Sequence, residues 1–498
     1  MNLVQTVEWA VIAPPVIAAF TAVAVLLADL FLPAARKALL GPLAAAGLAL
    51  AALSLLPLRD GDRSTFCLPD DPALCAYSAD RFAVILQLLV LGGAFLTVLL
   101  SIPEANGKRV PAGEFWFLLL SSAAGAALLP AARDLATLII ALEVTTLPAY
   151  ALVGLRRGSG AGPEAALKFF LSSVTATAVA LLGIGFVYAA SGSLFFDGIA
   201  EGLDEADPRL STLAEAGVAL TLIAFAFKMA AVPFHFWVPE TYLGAPLPVA
   251  GYLSVVGKTA GLAGLILVTT EAFPGHGDLW GPLVAVLAGL TMTAGNVAAL
   301  RTDPRAPNSA IRLLAWSSIG QAGYLLVPIA AAAYTEEGAG ATVAYALMYG
   351  AVNLGAFAVA AHVARQRPAH RVDDYRGLWA RQPAAALAMG FFLLCLAGLP
   401  PGVIGLFAKV AVFETAVDAG LGVLAVVMAV NVAIALYYYL RWTAVLFQPA
   451  PHGAAEPDAP RRLPAAPLTA AIGLAAGVGI VLSGAPQLIL TFASGTLL

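Results

Sequence analysis

Residues 219–265 read ALTLIAFAFKMAAVPFHFWVPETYLGAPLPVAGYLSVVGKTAGLAGL. Two apolar runs in this stretch each carry one lysine, Lys228 and Lys258, and Pro233, Pro239, Pro246 and Pro248 interrupt the segment between them. Proline lacks an N–H and clashes with the preceding turn, so the segment is not expected to be regular helix. A lysine in hydrocarbon costs roughly 2.5 to 3.5 kcal/mol on insertion scales, so it needs a partner, a water-filled cavity or a function. Two such lysines flanking a broken helix point to an ion or proton site near the bilayer midplane.

The whole chain supports that setting. It has 498 residues, 60% of them hydrophobic and only 11% charged, against about 25% charged in a soluble domain. This is the composition of an all-α polytopic membrane protein. The net charge of -4 says little, because orientation depends on where Lys and Arg fall. No basic patch and no glycine-rich phosphate loop is present, so nucleic acid and nucleotides are not among the expected ligands. The first apolar run, Ala10 to Leu32, has no basic leader and no cleavage site and reads as a retained span.

Apolar runs of about 20 residues predict fourteen spans near 10–33, 38–57, 82–102, 114–131, 135–154, 165–190, 212–233, 246–270, 281–300, 313–333, 341–363, 384–416, 420–442 and 466–490. Alternate loops differ in charge. One set holds Arg36, Lys37, Lys108, Arg109, Arg156, Arg157, Arg301, Arg305, Arg312, Arg365 to Arg381, Arg461 and Arg462. The other holds Arg59, Arg63, Arg81, Arg133 and Arg209 among acidic residues such as Glu336 and Glu337. The positive-inside rule puts the first set in the cytoplasm and both termini outside.

Of six lysines only Lys37 and Lys108 fall in loops; Lys168, Lys228, Lys258 and Lys409 lie within spans or at their edges. An amine taken out of water gives up its proton more readily, so these lysines suit proton exchange. Glu143 is the clear mid-span carboxylate, and Glu414 sits near a span end. A buried carboxyl holds its proton alone and releases it beside a cation, which makes Glu143 a switchable site; a structural ion pair is the other reading.

In 395-CLAGLPPGVIGLFAKVAVFET-415, Gly398, Pro400, Pro401 and Gly402 break a second span shortly before Lys409. Spans four to eight and nine to thirteen form two five-span blocks, 114–270 and 281–442, after a three-helix segment, 1–113, and before a last loop and helix, 443–498. An odd number of spans inverts the second block relative to the first. Aligning IALEVTTLPAY with LAWSSIGQAGY sets Ser317 opposite Glu143.

His235, two residues past Pro233, reads either as a relay between lysines or as a satisfied helix-end residue. His362 and His370 look like interface residues, and Tyr437, Tyr438 and Tyr439 like interface aromatics. Cys395 reads as a core residue; Cys67 and Cys75 are either a local disulfide or two loop thiols. No His, Cys and carboxylate set has metal-site or haem spacing.

The segment FKMAAVPFHFWVPETYLGAPLPVAGYLSVVGKTAG, with EAALKFFLSS around Lys168, IRLLAWSSIGQAGYLL, LAGLPPGVIGLFAKVAVFETAV and ALYYYLR, resembles the antiporter-like membrane subunits of respiratory complex I. Lys409 and the short stretch after the last span favour the N branch of that family. The resemblance covers about Leu135 to Leu446. It implies that Glu143 and Lys228 are the coupled pair of a first half-channel. Lys258 would be the central lysine of a hydrophilic axis and Lys409 the lysine of the second half-channel. Lys168 would modulate the first pair, and His235 would line the connection. It further implies a bacterial inner-membrane location beside a neighbouring antiporter-like subunit, small membrane subunits and lipid. No cofactor is implied in this chain; NADH, FMN, iron–sulfur clusters and quinone belong to the assembled complex.

Three positions depart from the family pattern. Ile311 and Arg312 stand where Lys-Arg is usual, and Gln321 replaces a histidine, so a proton step there cannot use that side chain. Pro148, after Glu143, is also unusual and is a potential kink. The implied function is proton translocation coupled to NADH oxidation and quinone reduction in partner subunits. A cation/proton antiporter subunit and a scaffold with vestigial charges are the alternatives.

Overall fold

The computed structural model describes residues 7–107, 109–158, 160–335, 338–450 and 465–493. Of the loop charges assigned above, Lys108, Glu336, Glu337, Arg461 and Arg462 lie outside the described residues.

The N-terminal helices are α1 (Ala13–Phe31), α2 (Leu40–Leu53) and α3 (Arg81–Ala105). There follow α4 (Ala112–Leu128), α5 (Leu135–Gly154), α6 (Ala161–Ser191), the short amphipathic α7 (Phe196–Asp204) and α8 (Ser211–Met229). The broken region holds α9 (Trp237–Gly244), α10 (Leu247–Tyr252) and α11 (Lys258–Leu267). The second half runs through α12 (Gly277–Leu300), α13 (Ser309–Ala331), α14 (Gly338–Ala364), α15 (Leu378–Arg381), α16 (Pro383–Ala397), α17 (Val403–Asp418) and α18 (Gly422–Phe447), and α19 (Ala466–Gly484) and α20 (Gln487–Ala493) close the chain. Helix dominates because hydrocarbon offers the backbone no other partner.

Thirteen helical segments among the described residues are long and apolar enough to cross a membrane. The remaining predicted span, 384–416, is the interrupted pair α16 and α17. The protein is a multi-pass membrane protein with the fourteen-span plan. One piece is not helical. Arg63–Cys67 pairs antiparallel with Cys75–Ala79, and Cys67 and Cys75 face each other in a disulfide. A polar loop outside the lipid can form such a hairpin because water satisfies its open edges.

Both breaks are turns stopped by a left-handed residue. Ala230 (φ 61°) ends α8 and Gly398 (φ 84°) ends α16. The segment between Lys228 and Lys258 is more ordered than its prolines suggest, since α9 is a full helix within it. Pro239 sits in the first turn of α9, where no backbone N–H is required. Pro148 lies inside the continuous α5.

The helices are not equally enclosed. Spans 247–272, 309–331 and 339–364 are each 94% buried over their apolar windows, against 22% for α19. These three central spans are where polar groups avoid lipid; they carry Lys258 and the serine, tyrosine and glutamine side chains around it.

Candidate functional site

Lys228 lies in the last turn of α8, buried to 2% exposure. Its Nζ donates to Thr146 Oγ1 at 2.7 Å and stands 5.7 Å above the Phe169 ring. The Thr146 hydroxyl itself donates to Leu142 O at 2.6 Å. The break that exposes this turn is itself satisfied: Trp237 Nε1 donates to Phe227 O at 3.0 Å, and the Trp237 ring stacks on Phe169. Phe227 O also accepts from the Ala230 N–H at 2.9 Å, which closes the last turn.

Glu143 is half-buried on α5, and its Oε1 accepts from Thr177 Oγ1 at 2.7 Å. None of the ion pairs among the described residues joins Glu143 to Lys228. The two are neighbours held apart, each by a threonine.

Lys258 opens α11, directly after a widened turn at Leu253–Gly257. Its Nζ donates to the backbone O of Ser318 and, at 2.7 Å, to Ser318 Oγ. Ser318 Oγ also bonds the Tyr349 hydroxyl at 2.8 Å, and Tyr349 reaches Ser254 O. Gly261, three residues on, allows α8 to come close: a Cβ there would lie 2.9 Å from Lys228 Cβ. One glycine thus brings the elements of the two lysines together.

Lys409 is on α17, 5% exposed, and donates to Leu396 O and Ala397 O at 2.8 Å each. These are terminal carbonyls of α16, left without helical partners by the break, and a cation there also meets the negative end of the helix dipole. Lys409 Nζ lies 5.5 Å over the Tyr324 ring. Gln321 Nε2 points to the same Leu396 O at 3.4 Å.

The other predicted residues fall differently. Lys168 sits on the outer side of α6, exposed and paired with Glu164 at 2.7 Å; its inward neighbour Phe169 is what meets Lys228. His235 lies in the turn between α8 and α9, half-buried, with its ring 5.7 Å from that of Trp316 and no partner on Nδ1. Trp316 is on α13, so this ring contact ties the turn after α8 to that helix. Glu414 is exposed, and Ser317, set opposite Glu143, bonds Tyr439 at 2.5 Å.

The tyrosine reading needs correcting. Tyr437 is exposed, but Tyr438 and Tyr439 are buried at 3% and 0%. Consecutive residues on a helix turn about 100° apart, so one faces lipid while the others enter the bundle. Sequence reasoning also passed over Thr146, Ser318, Tyr345 and Tyr349. The spacing of Tyr345 and Tyr349, four residues apart in an apolar span, is the signal that was available. His362 is at the end of α14, buried, with Nε2 bonded to Gln382 Oε1 at 2.5 Å. No group of three metal-ligating side chains occurs among the described residues.

Known proteins share this arrangement. The family profile described as NADH:quinone oxidoreductase/Mrp antiporter, TM matches residues 132–435. NADH-quinone oxidoreductase subunit N 2 of Streptomyces griseus subsp. griseus is 65% identical over 508 residues, covering 100% of this chain and 95% of that protein. A chain of respiratory complex I from Thermus thermophilus with bound aureothin superposes with a TM-score of 0.77 at 30% identity, covering 97% of this chain and 100% of its own. A chain of the Mrp complex from Dietzia sp. DQ12-45-1b superposes with a TM-score of 0.80 at 22% identity, over 97% and 96% of the two chains, a likeness of fold. The chain therefore belongs to the transmembrane family of NADH:quinone oxidoreductase and Mrp antiporter subunits, and within it to the subunits N of NADH-quinone oxidoreductases.

Proposed function

We propose that the chain is the proton-translocating membrane subunit N of an NADH-quinone oxidoreductase. Glu143, Lys228, Lys258 and Lys409 act as its proton-exchanging groups, His235 lines the connection, and Lys168 tunes the first pair from outside. The observation that carries this reading is the enclosure of Lys228, Lys258 and Lys409, each bonded to a neutral oxygen rather than to a carboxylate. A lysine held in this way can lose its proton without leaving a partner charge stranded.

The mechanism is electrostatic. A charge arriving beside Lys258 repels the neighbouring ammonium, moves Lys228 relative to Glu143, and so changes which of the two holds a proton. Release runs through Lys409. NADH oxidation and quinone reduction, with their FMN and iron–sulfur clusters, take place in partner subunits, and neighbouring membrane subunits relay the signal. The blocks 114–270 and 281–442 are the two inverted half-channels, each with a break beside its lysine. Arginines crowd alternate loops, which supports termini outside the cytoplasm; maleimide labelling of reduced Cys67 and Cys75 from outside intact cells checks it.

The test is NADH-driven acidification of inverted vesicles carrying Lys228→Ala, with assembly and NADH oxidation followed in parallel. Loss of acidification in assembled complex supports the role. Wild-type acidification overturns it and favours a structural lysine. The fold shared with the Mrp complex makes a cation/proton antiporter assembly the second reading; sodium-dependent flux would single it out.

A further inference from the structure

We infer that Gln321 is a positioning residue that sets two phenols, Tyr345 and Tyr439, as the proton-handling groups between Lys258 and Lys409. The inference rests on the proton-translocating role proposed above.

Gln321 lies on α13, inside one of the enclosed spans, and is 1% exposed. An amide takes up no proton near neutral pH, yet it donates and accepts at once. Its Oε1 accepts from the Tyr345 hydroxyl at 2.5 Å, and its Nε2 donates to the Tyr439 hydroxyl at 3.0 Å. The sense of the amide is fixed by its third contact. Nε2 also faces Leu396 O, and turning the amide over would set its oxygen against that carbonyl. Gln321 therefore holds one phenol by its oxygen and the other by its nitrogen.

Both ends of this cluster meet a lysine. The Leu396 carbonyl is shared with Lys409 Nζ. Tyr439 bonds Ser317 at 2.5 Å, and the adjacent Ser318 accepts from Lys258. On α14, Tyr345 stands one turn from Tyr349, which bonds the same Ser318 hydroxyl. The phenols thus occupy the interval between the two lysines, and all of them are buried. A phenol oxygen that receives a proton releases the one it already carries, so its hydroxyl is unchanged after each transfer. Gln321 exchanges no proton and keeps both oxygens aimed.

The experiment measures the initial rate of NADH-driven acidification, across a pH series, in inverted vesicles bearing the assembled complex. The variants are Gln321→Leu, Gln321→His, Tyr345→Phe and Tyr439→Phe, with Lys258→Ala alongside. Tyr439→Phe and Tyr345→Phe each delete a single oxygen and preserve the packing. The expected result is a fall of about tenfold in Gln321→Leu and in each phenylalanine variant, the size of one lost buried hydrogen bond, with a displaced pH profile. Gln321→His is expected to restore both, because an imidazole also donates from one nitrogen and accepts at the other. A fall in Gln321→Leu that histidine does not restore, or phenylalanine variants that pump like wild type while Lys258→Ala fails, overturns the inference and leaves the lysine axis standing. Wild-type pumping in Lys258→Ala as well brings down the proposed function itself.

Discussion

Lys228 is bonded to Thr146 at 2.7 Å and not to Glu143, although Glu143 lies three residues earlier on the same helix. Thr177 holds the carboxylate in the same manner. The energies explain why both arrangements are accessible. Two unit charges 4 Å apart gain roughly 4 kcal/mol at an effective dielectric constant of 20. Breaking the two present hydrogen bonds costs about 1.5–3 kcal/mol each. Terms of equal size and opposite sign make a switch rather than a lock.

Thr146→Val tests that balance. The valine keeps the volume and removes the oxygen that accepts from Lys228, so the ammonium turns to Glu143. We expect proton translocation to fall about tenfold, the value of one buried hydrogen bond to a charged group, in assembled complex. Vesicle acidification reads it, and Thr146→Ser is expected to restore it.

Gly261→Ala places a methyl 2.9 Å from Lys228 Cβ and 3.1 Å from Met229 N. The backbone atom cannot yield, so α8 and α11 must separate. Overpacking of this kind costs about 1–3 kcal/mol, read as a lower thermal midpoint of the purified subunit, together with weakened proton translocation.

Lys409→Met leaves the Leu396 and Ala397 carbonyls without their charged donor. Loss of proton translocation is expected, with destabilisation of about 1–3 kcal/mol from the buried acceptors. Lys409→Arg is not expected to substitute, because its planar fork does not fit a point-charge site between two carbonyls.

His370, in the loop after α14, has its imidazole held below the ordinary value by burial, which outweighs the opposing Asp374; Arg156 lowers it further. The neutral ring is favoured in the folded state. Its contribution is therefore present above an ordinary histidine value of about 6.5 and lost as pH falls through the depressed folded value. Thermal midpoints across mildly acidic pH are expected to drop, and to drop less in His370→Gln.

The broken helices and the buried lysines were legible because clustered prolines and glycines interrupt a helix and hydrocarbon penalises charge, so each stands out against apolar neighbours. That logic does not fix which side of α6 Lys168 faces. Lys168 sits in an apolar run like the others, but the run is lipid-facing on one side, and hydropathy does not report azimuth. Tyr438 and Tyr439 misled for the same reason. The contacts of Gln321 join α13 to α14, α16 and α18, residues 24 to 118 positions apart in the chain. No local pattern encodes such meetings. The hairpin at Arg63–Ala79 was hidden because its strands have only five residues each.

The widened turn at Leu253–Gly257 immediately precedes Lys258. Such a turn accommodates one residue more than the regular spiral, and each residue advances the azimuth by about 100°. The direction of Lys258 is therefore written in a count rather than in a contact. Removing one residue from the turn would leave a better helix and swing the lysine away from Ser318 by that angle. The extra residue at this point works as a bearing, set once by chain length, for the charge that follows it.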